Sequence, residues 1–399
     1  MGEVKNILLS LIGRGKVLEN ISQGYKRTSY RFKTGEIFET GFFGSALWKY
    51  ISQKEKINYW YIFGTSTSSW SEIIYALDEQ KMSKFQDLAY EIYEAENIGI
   101  KGDLLKNWEE ALSSEIPGIK LILIDPLDYK FFSEFLLENL PENDDLKIIL
   151  DITHGYRYLP LILSFSIMYV KNFKNIKELK IYYGALEMSQ DNAPVLEIDH
   201  INEIFQLSTA FELYKNSGYF PELLKNLGLN RREDVYFSIE MNERPREELE
   251  KIIEELESIK EKHKKVPAKA LVEDLIPLCR ERYLEDRMVE RAKFFFKKKQ
   301  YLKSLILLYE ALTIIILKKA GYRDLSNIIN RREKAREVYS KVLTEEWTRE
   351  TFNNLEKIRN SAVHGNLRES QSSIRNFEDF SNLFQKSLEL YHHLRKSLN

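Results

Sequence analysis

The run at 146–160, LKIILDITHGYRYLP, decides the fold. Residues 146–150 are apolar except Lys147, the composition of a strand buried on both faces of a parallel sheet. They pass directly into Asp151-Ile152-Thr153-His154-Gly155-Tyr156-Arg157, and a long apolar stretch starts near Pro160. Proline suits the first turn of a helix, where no amide hydrogen bond is lost. A buried strand, a polar loop and a helix in that order predict an α/β layer arrangement on either side.

The pattern does extend both ways. Upstream, 6–12 reads as a buried strand closed by Gly13-Arg14-Gly15, and 29–32 with 36–40 as a hairpin across Lys33-Thr34-Gly35. A helix is expected over 44–53, then a strand over 57–63 running into Gly64-Thr65-Ser66-Thr67-Ser68-Ser69-Trp70. Helices are expected over 71–79 (with a serine cap), 84–96, 101–113 and 129–140, with a strand at 120–124. Downstream, strands at 179–183 and 195–198 enclose Gly184-Ala185-Leu186-Glu187. Residues 1–200 therefore read as a Rossmann-like α/β domain with a mainly parallel sheet.

The polar clusters fall at one edge. Gly13 to Gly15, Gly64 to Ser69, Asp151 to Arg157 and Gly184 to Glu187 each follow the C-terminal end of an expected strand. That rim is where ligands bind in open α/β sheets, because loops and helix N-termini present amides there. The hydroxyls of Thr65, Ser66, Thr67 and Ser68, with Arg14, His154 and Arg157, suit a polyanion bearing ribose and phosphate groups. Gly13–Arg14–Gly15 is not a full GxGxxG fingerprint, so it does not point to a dinucleotide.

From residue 201 the chain reads as helix throughout. Residues 201–265 are expected to form a helical connector, with 246–265 a solvated helix of acidic and basic blocks, and 266–399 a helical domain. Leu302, Leu305, Ile306, Tyr309, Leu312 and Ile316 recur at helical spacing as core, and Glu310 among them is a candidate brace for Arg359. Lys357-Ile358-Arg359-Asn360-Ser361-Ala362-Val363-His364-Gly365 is the one place where an acid–base group and a cationic fork stand close together. Histidine titrates near neutrality, and the arginine fork suits phosphate oxygens. Five positions rotate about 500° and rise about 7.5 Å, leaving Arg359 and His364 about 140° apart on a straight helix. Either the helix kinks or ends before His364, or two copies meet across a two-fold axis.

Composition bounds the rest. The length of 399 residues fits two domains, and 43% hydrophobic residues supply real cores. Net charge is −2, from 59 basic and 61 acidic residues, so a nucleic-acid surface has to be local rather than global. The single cysteine, Cys279, excludes an internal disulfide framework and a cysteine zinc cluster. No signal peptide and no membrane-length apolar run is read, and a cytoplasmic protein is expected.

Asp151-Ile152-Thr153-His154-Gly155 resembles the Asp-x-Thr-His-Gly signature of CARF domains, the CRISPR-associated Rossmann-fold sensors. The segments at Gly13-Arg14-Gly15, Gly64-Thr65-Ser66 and Tyr183 to Glu187 look like further parts of that family. Arg359-Asn360-x-x-x-His364 is similar to the Arg-x-x-x-x-His motif of HEPN ribonuclease domains. In this order the pair describes the accessory ribonucleases of type III CRISPR systems. The resemblance implies a homodimer, or a higher oligomer, that binds cyclic oligoadenylate as allosteric activator across paired sensor domains. It would then cut single-stranded RNA without a metal or other cofactor, leaving a 2′,3′-cyclic phosphate. It implies Arg359, Asn360 and His364 as catalytic residues. For the activator it implies Gly13, Arg14, Gly15, Gly64, Thr65, Ser66, Asp151, Thr153, His154, Gly155, Arg157 and Glu187. Two alternatives stand beside it: a ligand-responsive nucleic-acid-binding regulator, and a ring nuclease degrading cyclic oligoadenylate in the sensor domain.

Overall fold

Consecutive strand residues send their side chains to opposite faces, and in this protein both faces are covered. The computed structural model describes residues 4–15, 25–188, 191–322, 325, 331–364 and 376–398. The chain divides into two compact units, Met1–Asn202 and Glu203–Asn399.

The first unit is built on an eight-stranded sheet of order β3-β2-β8-β7-β6-β1-β4-β5. Its strands are β1 (Val4–Ile12), β2 (Thr28–Arg31), β3 (Ile37–Thr40), β4 (Tyr59–Gly64), β5 (Ile119–Leu123), β6 (Asp145–Asp151), β7 (Ile176–Gly184) and β8 (Ala193–Glu197). The five strands from β7 to β5 are parallel, whereas β2–β3 and β7–β8 are antiparallel. Its α-helices are α1 (Phe43–Ser52), α2 (Glu79–Glu96), α3 (Gly102–Ser113), α4 (Phe131–Asn139) and α5 (Leu159–Val170). Leu8, Trp60 and Ile149 pack on one side with Leu47, Ile92 and Trp108 of α1, α2 and α3. Their neighbours Leu9, Tyr61 and Leu150 pack on the other with Phe132 and Leu136 of α4 and Leu163 and Ile167 of α5. Covering both faces is what demands continuous apolar strands rather than alternating ones. The expected α/β fold with a mainly parallel sheet is what the unit adopts.

One segment differs. Residues 71–79 do not form a serine-capped α-helix: Trp70–Ala76 is a 3-10 helix with no side-chain cap, and Leu77 is extended. Nearly every residue of that turn is buried, so it has no solvent face to amortise an α-helix. Asp78 instead caps α2, accepting the Lys81 amide at 3.0 Å.

The second unit is helical among the described residues. Its helices are α6 (Asp199–Ser217), within which the unit begins, α7 (Pro221–Asn226), α8 (Glu233–Glu240), α9 (Arg246–Glu257) and α10 (Lys262–Arg280). They continue as α11 (Leu284–Lys297), α12 (Tyr301–Lys319), α13 (Arg331–Val342), α14 (Glu346–His364) and α15 (Phe377–Lys396). Residues 201–265, set apart above as a connector, contribute Leu207, Leu223, Ile239 and Ile252 to one core with Leu271 and Phe295. The stretch 246–265 is not one solvated helix. It breaks after Glu257, and Leu249, Ile252 and Leu256 of α9 are buried at helical spacing behind the charged face. A second core joins α12, α14 and α15 through Leu312, Ile315, Phe352, Leu355, Phe384 and Leu390.

Candidate functional site

The parallel strands change direction of progression at β1, which has β4 on one side and β6 on the other. Ligand crevices open at such a switch, beyond the carboxyl ends of the strands. Here it holds a cavity of about 450 Å³ formed by the tips of β1, β4 and β6. Of the expected ligand residues, Gly13, Arg14, Gly64, Thr65, Thr153, His154 and Gly155 line it. Ile12, Thr67, Ser68, Ile124, Tyr156 and Leu159 complete the wall.

The rim is tied together through its backbone. The Gly13 carbonyl accepts both the Ser69 amide, at 3.0 Å, and the Ser69 hydroxyl, at 2.8 Å. Ser68 Oγ donates to the Ile12 carbonyl at 2.9 Å and accepts the Thr65 amide at 2.9 Å. A Cβ on Gly13 would stand 2.8 Å from the Gly155 amide nitrogen, so the β1 and β6 loops meet closely enough to require glycine. Thr153 Oγ1 accepts the Gly184 amide at 2.8 Å, joining the ends of β6 and β7.

Arg14 is exposed on the cavity and has no side-chain partner among the described residues. It is the cationic fork that the described lining presents to this space, the group a phosphate would meet.

His154 has a different task from the one its position suggests. Its Nε2 accepts the Phe43 amide, the first of α1, at 3.0 Å. That bond requires the neutral ring with its proton on Nδ1. The residue as a whole keeps some exposed surface, yet its ring is enclosed beside Phe42, and burial holds the imidazole down to about 4. It braces the β6 loop against α1.

Asp151 lies behind the wall rather than on it. It is 0% exposed; Oδ1 accepts the Thr153 amide at 2.8 Å, and Oδ2 has no partner. Burial pushes its carboxyl up to about 7. Besides Asp151, four expected residues do not line the cavity. Gly15 abuts the Tyr25 ring, and Ser66 is exposed with its carbonyl on the Ile100 amide. Arg157 is exposed, and Glu187 is exposed and accepts the Tyr183 hydroxyl at 2.7 Å. Tyr156 and Leu159 sit within and just after the signature loop, so their place on the wall was open to inference from the loop alone.

Two opposite pH dependences follow from Asp151 and His154. Asp151 binds its proton more tightly folded than unfolded, where a carboxyl titrates near ~4, so its contribution is lost as pH rises through about 7. His154 favours the neutral form, and its contribution is lost as pH falls from ~6.5 toward about 4. Above ~6.5 only the aspartate still titrates of the two. Trp48, Trp60, Trp70 and Trp108 lie in the first unit and Trp347 in the second, so tryptophan fluorescence reports mainly the first. The melting temperature by that probe should fall between pH 6.5 and pH 8 in the native protein, and Asp151→Asn should make the slope shallower, the remainder belonging to Glu72 and Glu96, whose carboxyls burial pushes up to about 7 and about 8. An unchanged slope in the variant would assign it to other groups.

In the second unit α14 runs unbroken to His364. The helix therefore does not end before the histidine, and the about 140° separation from Arg359 stands. Arg359 is 4% exposed; Nη1 donates to Asn360 Oδ1 at 2.9 Å, and its guanidinium lies 5.6 Å from the Tyr309 ring centre. Its Nε has no partner among the described residues. Glu310 does not brace it, because that carboxylate is held by Arg332. Tyr309 donates to Glu356 at 2.6 Å, and Arg336 bonds the same oxygen at 2.8 Å, which fixes the ring beneath the guanidinium. The side chain of His364, and Gly365 after it, lie outside what is described.

Residues 7–187 match the family model described as CRISPR system endoribonuclease Csx1, CARF domain. The N-terminal unit is a CARF domain. A relative from Methanocaldococcus jannaschii, the CRISPR-associated protein MJ1674, is 29% identical over 253 residues, covering 55% of this chain and 38% of the relative. The chain thus spans well under half the length of that relative. Both likenesses support a CARF-bearing accessory protein of type III CRISPR systems. The CARF cavity lies within the matched range, and the helical unit lies outside it. No helix among the described residues is long and apolar enough to cross a membrane.

Proposed function

We propose that this protein is a homodimeric ribonuclease switched on by cyclic oligoadenylate in type III CRISPR defence. The observation that carries the reading is the rim cavity of the CARF unit, where glycine backbone, threonine and serine hydroxyls and Arg14 converge. Such a set meets phosphates and ribose hydroxyls without reading a base edge.

Dimerisation is supported by α5. Leu161, Phe165 and Tyr169, with Phe173 just beyond the helix, are 59%, 59%, 51% and 62% exposed and recur every fourth position. A stripe of that kind on a folded surface marks a docking face. It starts beside Leu159 and Tyr156, which line the cavity, so a two-fold contact along it would set two cavities side by side.

In the helical unit, His364 would exchange protons with the attacking 2′-hydroxyl or the leaving oxygen, and Arg359 would stabilise the charge on the pentacoordinate phosphorus. Asn360, held through its carbonyl by Arg359, would point its amide at the scissile phosphate. Since α14 does not bring Arg359 and His364 to one side, the second copy would complete each cleft. Ring cleavage at the rim finds less support, because His154 has its Nε2 engaged by Phe43 and stays neutral.

The test is labelled single-stranded RNA incubated with the protein and each cyclic oligoadenylate in turn, in EDTA. Cleavage with one ring size only, leaving 2′,3′-cyclic phosphate ends, is the expected result. Cleavage that needs a divalent ion, or activator binding with no change in cleavage, would overturn the reading.

A further inference from the structure

The largest cavity described in the CARF unit is not the rim cavity. A space of about 490 Å³ opens between the 3-10 turn Trp70–Ala76 and α2, and it shares no lining residue with the site above. Its volume falls in the range that takes a metabolite-sized ligand. Its walls mix Ile74, Met82 and Ala89 with the rings of Tyr75 and Tyr90.

Three charged side chains line it: Glu72 of the 3-10 turn, Arg27 ahead of β2, and Glu79 at the exposed start of α2. Glu72 is 5% exposed, and its position is fixed from several sides. Its backbone carbonyl accepts Ser45 Oγ at 3.1 Å, and Oε2 accepts the Gly41 amide at 3.0 Å. Gly41 has to be glycine here, since a Cβ would stand 2.5 Å from that oxygen. Yet Oε1 has no hydrogen-bond partner among the described residues. A buried acid held this firmly with half its acceptor capacity unused is unusual for a group that only supports the fold. Burial pushes its carboxyl up to about 7, with Arg27 nearby acting in the opposite direction.

Arg27 lines the same cavity. Its guanidinium lies 4.1 Å from the Tyr75 ring centre, and Nη2 donates to the Tyr75 hydroxyl. The stacking fixes the fork, and its remaining N–H groups have no partner among the described residues. No ion pair joins Arg27 to Glu72, although each feels the other's charge. The neighbouring acid Glu96 is no competitor for a ligand, being satisfied by the Tyr25 hydroxyl at 2.7 Å and by the amide and hydroxyl of Ser71.

We propose that this cavity binds a small zwitterion of the amino-acid type, its ammonium on Glu72 Oε1 and its carboxylate on the Arg27 fork. A donor fork and an acceptor oxygen on the wall of one aromatic and apolar space are what such a molecule bridges. A purely anionic ligand would leave Glu72 unmatched, and a purely cationic one would meet Arg27.

The experiment uses the full chain and the protein amino acids one at a time, read first by thermal shift and then by calorimetry. At least one should bind saturably at millimolar concentration or below. Its N-acetyl derivative and its decarboxylated amine should each bind about tenfold more weakly or worse, which needs no variant. Glu72→Gln should weaken the same amino acid by about tenfold or more. Because it removes a buried acid with an unpartnered oxygen, it should also keep or raise the melting temperature. Saturation by none of the amino acids, equal binding of the N-acetyl or decarboxylated form, or a lowered melting temperature in Glu72→Gln would each overturn the assignment.

Discussion

Arg359→Ala is expected to leave a folded protein whose activated RNA cleavage is slower by about 100- to 1000-fold, the scale on which a charge-stabilising donor is lost. The expectation of an intact fold comes from the site itself. Arg359 is buried with Nε unpartnered, bonded to Asn360 and stacked over Tyr309, but it forms no ion pair among the described residues. Removing it strands no buried carboxylate, since Glu356 keeps Tyr309 and Arg336. Arg359→Lys should recover only part of the rate, because an ammonium keeps the charge and loses the planar fork. His364→Ala should cost about 100- to 10,000-fold, the range for a lost general acid or base. Cleavage rates beside melting curves decide the matter. If Arg359→Ala melts well below the native protein while cleaving at a comparable rate, the arginine is structural and the proposed cleft is elsewhere.

Phe165→Glu should convert the dimer to monomer and silence activator-dependent cleavage. Fully burying a side chain of this size contributes about 1.5–3 kcal/mol, and a two-fold contact counts each residue twice. The same symmetry would place two introduced carboxylates near one another. Together these should raise the dimer dissociation constant by about 1000-fold, a change of about 4 kcal/mol. Ile98→Glu is the control: Ile98 is 91% exposed in the turn after α2, away from the α5 stripe, and should leave the dimer intact. Sedimentation at matched concentrations reads both. A dimeric Phe165→Glu protein would move the interface to another face.

The parallel core of the CARF unit was legible because β1, β4 and β6 each carry consecutive apolar residues (Ile7 to Leu9, Trp60 to Phe63, Ile148 to Leu150), a composition that burial on both faces explains. The rim was legible for a related reason: polar loops follow those strands, and strand polarity puts their ends on one edge. What the residues could not give was direction. Ser66 and Gly15 belong to the right loops and turn away from the cavity, while Thr67 and Ser68 beside them turn in. His154 carries the chemistry of a proton carrier, and only its contact with Phe43, 111 residues away in sequence, shows it engaged as a brace. The stretch 246–265 misled for the opposite reason. Its charges dominate the composition, whereas three residues at helical spacing decide its burial. Glu72 passed unnoticed because nothing near it in the chain marks it; Gly41, Ser45 and Arg27 reach it from other elements.

The mutual approach of Gly13 and Gly155, with His154 locked onto the start of α1, has a thermodynamic consequence. A mouth already set in its bound geometry loses little disorder when a guest arrives, so affinity there is not eroded by the freezing of loops. Calorimetry of the activator should accordingly show a modest entropic penalty, and the smallest accepted ring should be selected by steric fit against a stiff frame rather than by a frame that moulds to its guest.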